Sequence, residues 1–163
     1  MSYLTAMTIF HTVISLIAIV AGVVAVVGLF RGGAFRLWTN LFLVTAIVTS
    51  VTGYAFPFKG VTPGQVVGAL ALVILAVVLV AFYRFHVARF WRWIYAAGMV
   101  ASLYLLVFVG IAQAFQKIAF LKRLAPTGSE PPFVVAQGAA LVLFAVVGIL
   151  AARRYRPEVG TAR

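Results

Sequence analysis

The chain has no cysteine and no aspartate, and only two acidic residues, Glu130 and Glu158, in 163 positions. Without cysteine there is no disulfide, no thiolate metal site and no cysteine nucleophile, and the redox compartment leaves no mark on the sequence. Without aspartate a Ser-His-Asp triad is excluded, and a Ser-His-Glu version would have to run through Glu130, which no nucleophile motif accompanies. Charged residues make up 9% of the chain, against about 25% in ordinary soluble domains. So few charges cannot cover a water-facing surface. No His/Asp/Glu cluster has metal-ligand spacing and there is no H-E-x-x-H. The 14 glycines are scattered rather than gathered into a phosphate-binding loop.

What the chain has instead is apolar length: 65% of its residues are hydrophobic. A helix needs roughly 20 apolar residues to cross the hydrocarbon layer, and five segments meet that need: residues 4–30, 37–56, 64–83, 91–116 and 132–152. The expected fold is all-α, an integral membrane bundle of five transmembrane helices forming one domain over residues 1–163. The breaks between runs are chemically sensible. Arg31-Gly32-Gly33 ends the first and Pro57-Phe58-Lys59-Gly60 follows the second. Thr62-Pro63-Gly64-Gln65 opens the third with a capping-box pattern and a proline at the first helical position. Pro131-Pro132 is tolerated where the fifth begins, because those N–H groups lack intrahelical partners. The first run has no basic residue before it and continues uncharged to Phe30, too long for a signal-peptide core, so it reads as a retained span. Residues 153–163 read as a tail, disordered over 158–163. No internal repeat is visible, and five spans do not divide into the paired halves of many transporters.

The formal charge of +11 suggests nucleic acid until the positions are read. The cations lie beside the apolar runs, where Lys and Arg flank membranes, and lipid headgroups are the simpler partner. One side collects Arg31, Arg36, Arg84, Arg89, Arg92, Arg153, Arg154, Arg156 and Arg163; the other has Lys59, Lys117, Lys122 and Arg123. The positive-inside rule then puts the N-terminus outside and the C-terminus in the cytoplasm. Arg84, Arg89, Arg92, Arg153, Arg154 and Arg156 are the candidates for anchoring anionic lipid. Trp38, Trp91 and Trp93 fall at the same interface, as aromatic belts do.

Polar side chains inside hydrocarbon are costly, so their depth is informative. His11 lies about seven residues into the first run, or roughly 10 Å at about 1.5 Å per residue. Thr12 adjoins it. Thr49 and Thr52 near the end of the second run, Gln113, Gln116 and Lys117 at the end of the fourth, and Glu130 and Gln137 at the start of the fifth all belong to the same half of the bilayer. Together these nine residues outline an outer-leaflet polar pocket centred on His11. Each has a bland counterpart. Ser and Thr often bond back to their own helix, Lys117 can snorkel, and Gly98-xxx-Ser102 more often signals close helix packing than a ligand. His11 and His86 sit at opposite ends of their spans, which disfavours a bis-His haem within one chain. No cofactor and no metal are expected.

Three functions from different classes follow. The first is a non-catalytic membrane subunit or assembly partner, held by another membrane protein or by a second copy. The second is a binding protein for a quinone-like or lipid-like small molecule at the His11 pocket. The third is an oligomeric pore or small transporter, for which the lack of a deep carboxylate argues against proton coupling. Phe10-His11-Thr12, Gly53-Tyr54-Ala55-Phe56-Pro57-Phe58 and Ser129-Glu130-Pro131-Pro132-Phe133 resemble segments of small polytopic proteins of bacterial inner membranes. The resemblance spans nearly the whole chain and implies a plasma-membrane location. It carries no activity, so it assigns no role to any residue.

Overall fold

Uninterrupted apolar runs with few breakers dictate helices, and the computed structural model is all-helical among its described residues, 2–31, 35–57 and 62–156. The expected tail over 158–163, and Gly32, Gly33, Phe58, Lys59 and Gly60 of the connecting segments, lie outside those residues. Helix α1 spans Tyr3–Phe30, α2 Arg36–Gly53, α3 Pro63–Leu79, α4 Trp91–Lys117, α5 Ala119–Leu124 and α6 Pro131–Arg154. A π-helical turn, Val80–Arg84, extends α3. Four of these helices are long and apolar enough to cross a membrane: α1, α3 with its π-turn, α4 and α6. The 18-residue α2 carries Arg36, Asn40 and four threonines, and does not reach that standard by composition.

Capping chemistry sets several boundaries. Ser2 accepts the Thr5 N–H at the start of α1. The capping box expected for the third run forms: Thr62 Oγ1 accepts from Gln65 N at 3.3 Å, and Gln65 Oε1 accepts from Thr62 N at 2.9 Å. After the π-turn the chain makes a tight reversal, with Val87 N donating to Ala81 O at 2.9 Å. His86, Val87 and Arg89 there all have φ near +50°, a region that bulky and β-branched residues rarely adopt.

Successive helices run antiparallel. α1, α2, α3 and α4 close a ring in which each packs on the next and α4 returns to α1. α6 lies outside the ring, mainly against α4. Small residues make the close contacts, as is usual where lipid supplies no hydrophobic drive between helices. Ala18, Ala21, Gly22, Ala25 and Gly28 form the buried stripe of α1, and Gly22 faces Leu103 and the Phe42 ring. Gly98 of α4 is pressed on Val78 of α3, and Gly148 of α6 lies on Val100. The core is built around Phe42, Leu43, Leu75, Val78, Tyr95, Met99, Leu103 and Tyr155. It is lopsided: no described residue of α1 before Ala18 is buried. One half of the bundle is tightly packed, and the half carrying His11 is looser.

Candidate functional site

Threonine and serine hydroxyls in apolar helices usually discharge their proton onto a carbonyl one turn back. Thr8, Ser15, Thr45 and Thr52 all do so, to Leu4, His11, Leu41 and Val48. For Thr52 this has a consequence. Its one proton goes to Val48 O at 2.7 Å, so its oxygen faces His11 as an acceptor. His11 Nδ1 lies 2.9 Å from that oxygen and, while the Thr52 proton is on Val48 O, is the N–H donor. In the neutral ring, Nε2 is then left with a bare lone pair, and among the described residues it has no hydrogen-bond partner. Phe56 meets the imidazole edge-on, with centroids 5.5 Å apart. Gly53 lies beside it, where even an added Cβ would only touch the ring at 3.8 Å.

Lys117, exposed in the last turn of α4, lies at a similar level of the bundle. Leu103 meets Gly22 and Gly110 meets Ile19, so two more turns along the antiparallel pair bring Lys117 level with His11. Gln113, one turn earlier on that face of α4, is exposed.

The other residues of the sequence-derived pocket lie elsewhere. Thr12 is exposed, and Thr49 is buried with its Oγ1 unpartnered. Gln137 is buried between α6 and α4; its Nε2 donates to Phe108 O at 3.0 Å while Oε1 has no partner. Gln116 points away from His11 into a cleft of about 490 Å³ shared with Lys122. The Glu130 carboxylate turns back into its own loop. One oxygen accepts from Thr127 N and Thr127 Oγ1 at 3.0 and 2.9 Å, the other from Gly128 N and Ser129 N at 3.0 and 3.1 Å. Those donors, the Thr127 N–H first among them, hold its pKa down to about 2. Of the nine, His11 and Thr52 are in contact and Gln113 and Lys117 share the α4 face at their level, whereas Gln116 lines the cleft, Glu130 is held in its own loop, Gln137 is bonded to Phe108, and Thr12 and Thr49 join neither group.

At the opposite end, Phe85 stacks on Trp91 with centroids 4.0 Å apart, while Arg84 lies over Phe85 and Arg92 over Trp93. Arg153 and Arg154 end α6 beside exposed Arg156. His86 belongs to this end and His11 to the other. Among the described residues no group of three His, Cys, Asp or Glu could hold a metal ion. The sequence reading missed the cleft, because it treated residues 118–124 as loop. The signal was present in Ile118-Ala119-Phe120-Leu121-Lys122-Arg123-Leu124, a short segment mixing large apolar residues with two adjacent cations. It also missed the bonds Tyr54 Oη to Gln65 O (2.7 Å) and Tyr83 Oη to Asn40 Oδ1 (2.9 Å), which tie α3 and its π-turn to α2 and the residue that caps it.

Comparison with protein families, with curated proteins and with solved structures gives no match for this chain.

Proposed function

We propose that the protein is a five-span protein of a bacterial inner membrane, N-terminus outside, that binds a small amphipathic molecule, quinone-like or lipid-like, at His11. The carrying observation is the imidazole: its Nδ1 is 2.9 Å from Thr52 Oγ1, and its Nε2 has no hydrogen-bond partner among the described residues. A neutral His11 would accept a hydrogen bond from a ligand hydroxyl there, and the nearby Lys117 ammonium would donate to a carbonyl or phosphate oxygen. Two polar groups of opposite hydrogen-bonding sense, beside Phe56 in an apolar helix bundle, suit a ligand with a polar head and a lipid-soluble body. Gentle extraction and native mass spectrometry test this. The parent chain should carry a small-molecule adduct that His11→Ala loses and that Thr52→Val, which frees the ring to rotate, weakens by roughly tenfold, the scale of one hydrogen bond to a charged or polarised group. An adduct retained by both variants removes the proposal.

A second reading, a non-catalytic subunit or assembly partner, draws on α6. That helix is attached along one side only and leaves Gly138, Ala139 and Ala145 exposed, with no neighbouring atom within 4 Å of an added Cβ at Gly138. Such a surface allows another helix to approach closely. Gly138→Leu would then abolish copurification of a membrane partner, and leave it unchanged if lipid alone covers α6.

A further inference from the structure

On the far side of α4 from His11, the last turn of α4, the short α5, the loop over 125–128 and the first turn of α6 line an open-sided cleft of about 490 Å³. Its size falls within the range of small-molecule sites, roughly 300–1,000 Å³. Its walls differ in character. Phe115 and Phe133, in edge-to-face contact at 5.4 Å, supply an apolar wall. Gln116 and Lys122 contribute an amide and an ammonium, and the Thr127-Gly128 backbone forms the remaining side. Among the described residues no carboxylate other than Glu130 is present to pair with Lys122. The one nearby carboxylate, Glu130, has both oxygens filled by the donors of its own loop. Glu130 therefore stiffens the wall, and its oxygens are bonded to its own loop rather than to Lys122. Ile118, Phe120 and Leu124 are exposed on α5 although each is large and apolar. An exposed apolar surface next to Lys122 and Arg123 is the composition of a helix lying in a lipid interface.

We propose that this cleft is a second site, independent of His11, for the phosphodiester headgroup of a lipid with net negative charge. Lys122 and the Gln116 amide hold the phosphate, and the upper acyl carbons lie against Phe115 and Phe133. The site sits at the end of the bundle opposite the arginine clusters, so headgroups would be held in both leaflets. The Lys122 interaction is a charge-assisted hydrogen bond, and its loss should weaken binding by roughly tenfold.

The test is amide NMR of the full chain in zwitterionic micelles, titrated separately with dioctanoyl phosphatidylglycerol, dioctanoyl phosphatidylcholine and inorganic phosphate. Phosphatidylglycerol is expected to shift the Gln116, Thr127 and Gly128 amides saturably, with Lys122→Gln raising the apparent Kd roughly tenfold and Lys122→Arg restoring it. Gln116→Ala provides a second variant: affinity falls although no charge facing the phosphate has been removed, and an unchanged Kd would contradict the Gln116 contact. Equal shifts with phosphatidylcholine would mean interfacial partitioning and overturn the proposal. Equal affinity for inorganic phosphate would overturn the lipid assignment, and an unchanged Kd in Lys122→Gln would remove the site.

Discussion

Adding one methyl group at Gly98 tests how the bundle is held together. A Cβ built there would sit 2.5 Å from Val78 Cγ2 and 3.8 Å from Ile74 Cγ2. Carbon atoms pack best at about 3.5–4.0 Å, so the first contact overlaps by about 1 Å. Val78 cannot swing aside, because a β-branched residue in a helix has essentially one χ1 rotamer and this one is fully buried. The strain must therefore separate α3 from α4. A gap of 0.5–1 Å forfeits about a quarter to a half of each dispersion contact along the seam, and overpacking of this kind typically costs about 1–3 kcal/mol. Val78→Ala alone should cost a similar amount through the cavity it leaves. In the double variant the new methyl group occupies space that Val78 vacates. The two costs should then fall short of additivity by at least about 1 kcal/mol, well beyond the few tenths expected of independent sites. Reversible unfolding of the four proteins in mixed micelles measures the cycle. A neutral Gly98→Ala, or additive costs, would refute the claim that this seam is limited by steric closeness.

The loop carboxylate gives a pH prediction whose sign is fixed. Glu130 titrates at about 2 in the folded chain against an ordinary 4.5, so its contribution is complete above about pH 4.5 and disappears as pH falls through about 2. Hydrogen exchange at the Thr127, Gly128 and Ser129 amides, corrected for intrinsic rate, should accelerate over that interval, and already at neutral pH in Glu130→Gln; pH-independent protection would contradict the caged geometry. Thr62→Ala breaks the capping box and should cost about 1 kcal/mol, seen as faster exchange at the Gln65 amide with the remaining helices unaffected. Because the chain has no cysteine, single substitutions report topology directly. Ser2→Cys and Ser129→Cys should both react with an impermeant maleimide added to intact cells and Arg154→Cys only after lysis, whereas labelling of only one of Ser2→Cys and Ser129→Cys from outside would mean that α2 does not cross.

The helices were legible in the sequence because a 20-residue apolar run has few other physical outcomes. Even the capping box at Thr62 could be read, since it depends on four consecutive residues. Helix α2 was harder: Thr39, Thr45, Thr49 and Ser50 face the bundle, so its low hydropathy reflects buried polar groups, which a count of apolar residues scores as polar. For the site, periodicity grouped residues by face and depth but could not distinguish one side of α4 from the other. Phe115 and Lys117 differ by only two positions, yet at about 100° per residue they point nearly opposite ways. One joins the α6 cleft and the other lies on the α4 face at the level of His11. The π-turn and the left-handed residues at His86, Val87 and Arg89 left no trace, because none is a glycine.

Both polar regions lie in the half of the bundle where helices pack loosely, and the distribution of small residues explains why. In α1 the buried positions begin at Ala18 and run through Ala21, Gly22, Ala25 and Gly28, drawing α1 towards Phe42 and Leu103. Before Ala18 the same helix offers His11, Thr12 and Ser15 with larger β-branched neighbours, and no described residue there is buried. α4 follows the same gradient: its buried residues run from Tyr95 to Leu105 and recur only at Phe115. Close packing at one end fixes the helix axes, and the other end diverges around groups too large or too polar to be sealed. Among the described residues, that end can admit a ligand without dismantling the core. On this argument, substitutions at Gly22 or Gly98 should lower stability, whereas His11, Lys117, Gln116 and Lys122 can be changed with little effect on folding.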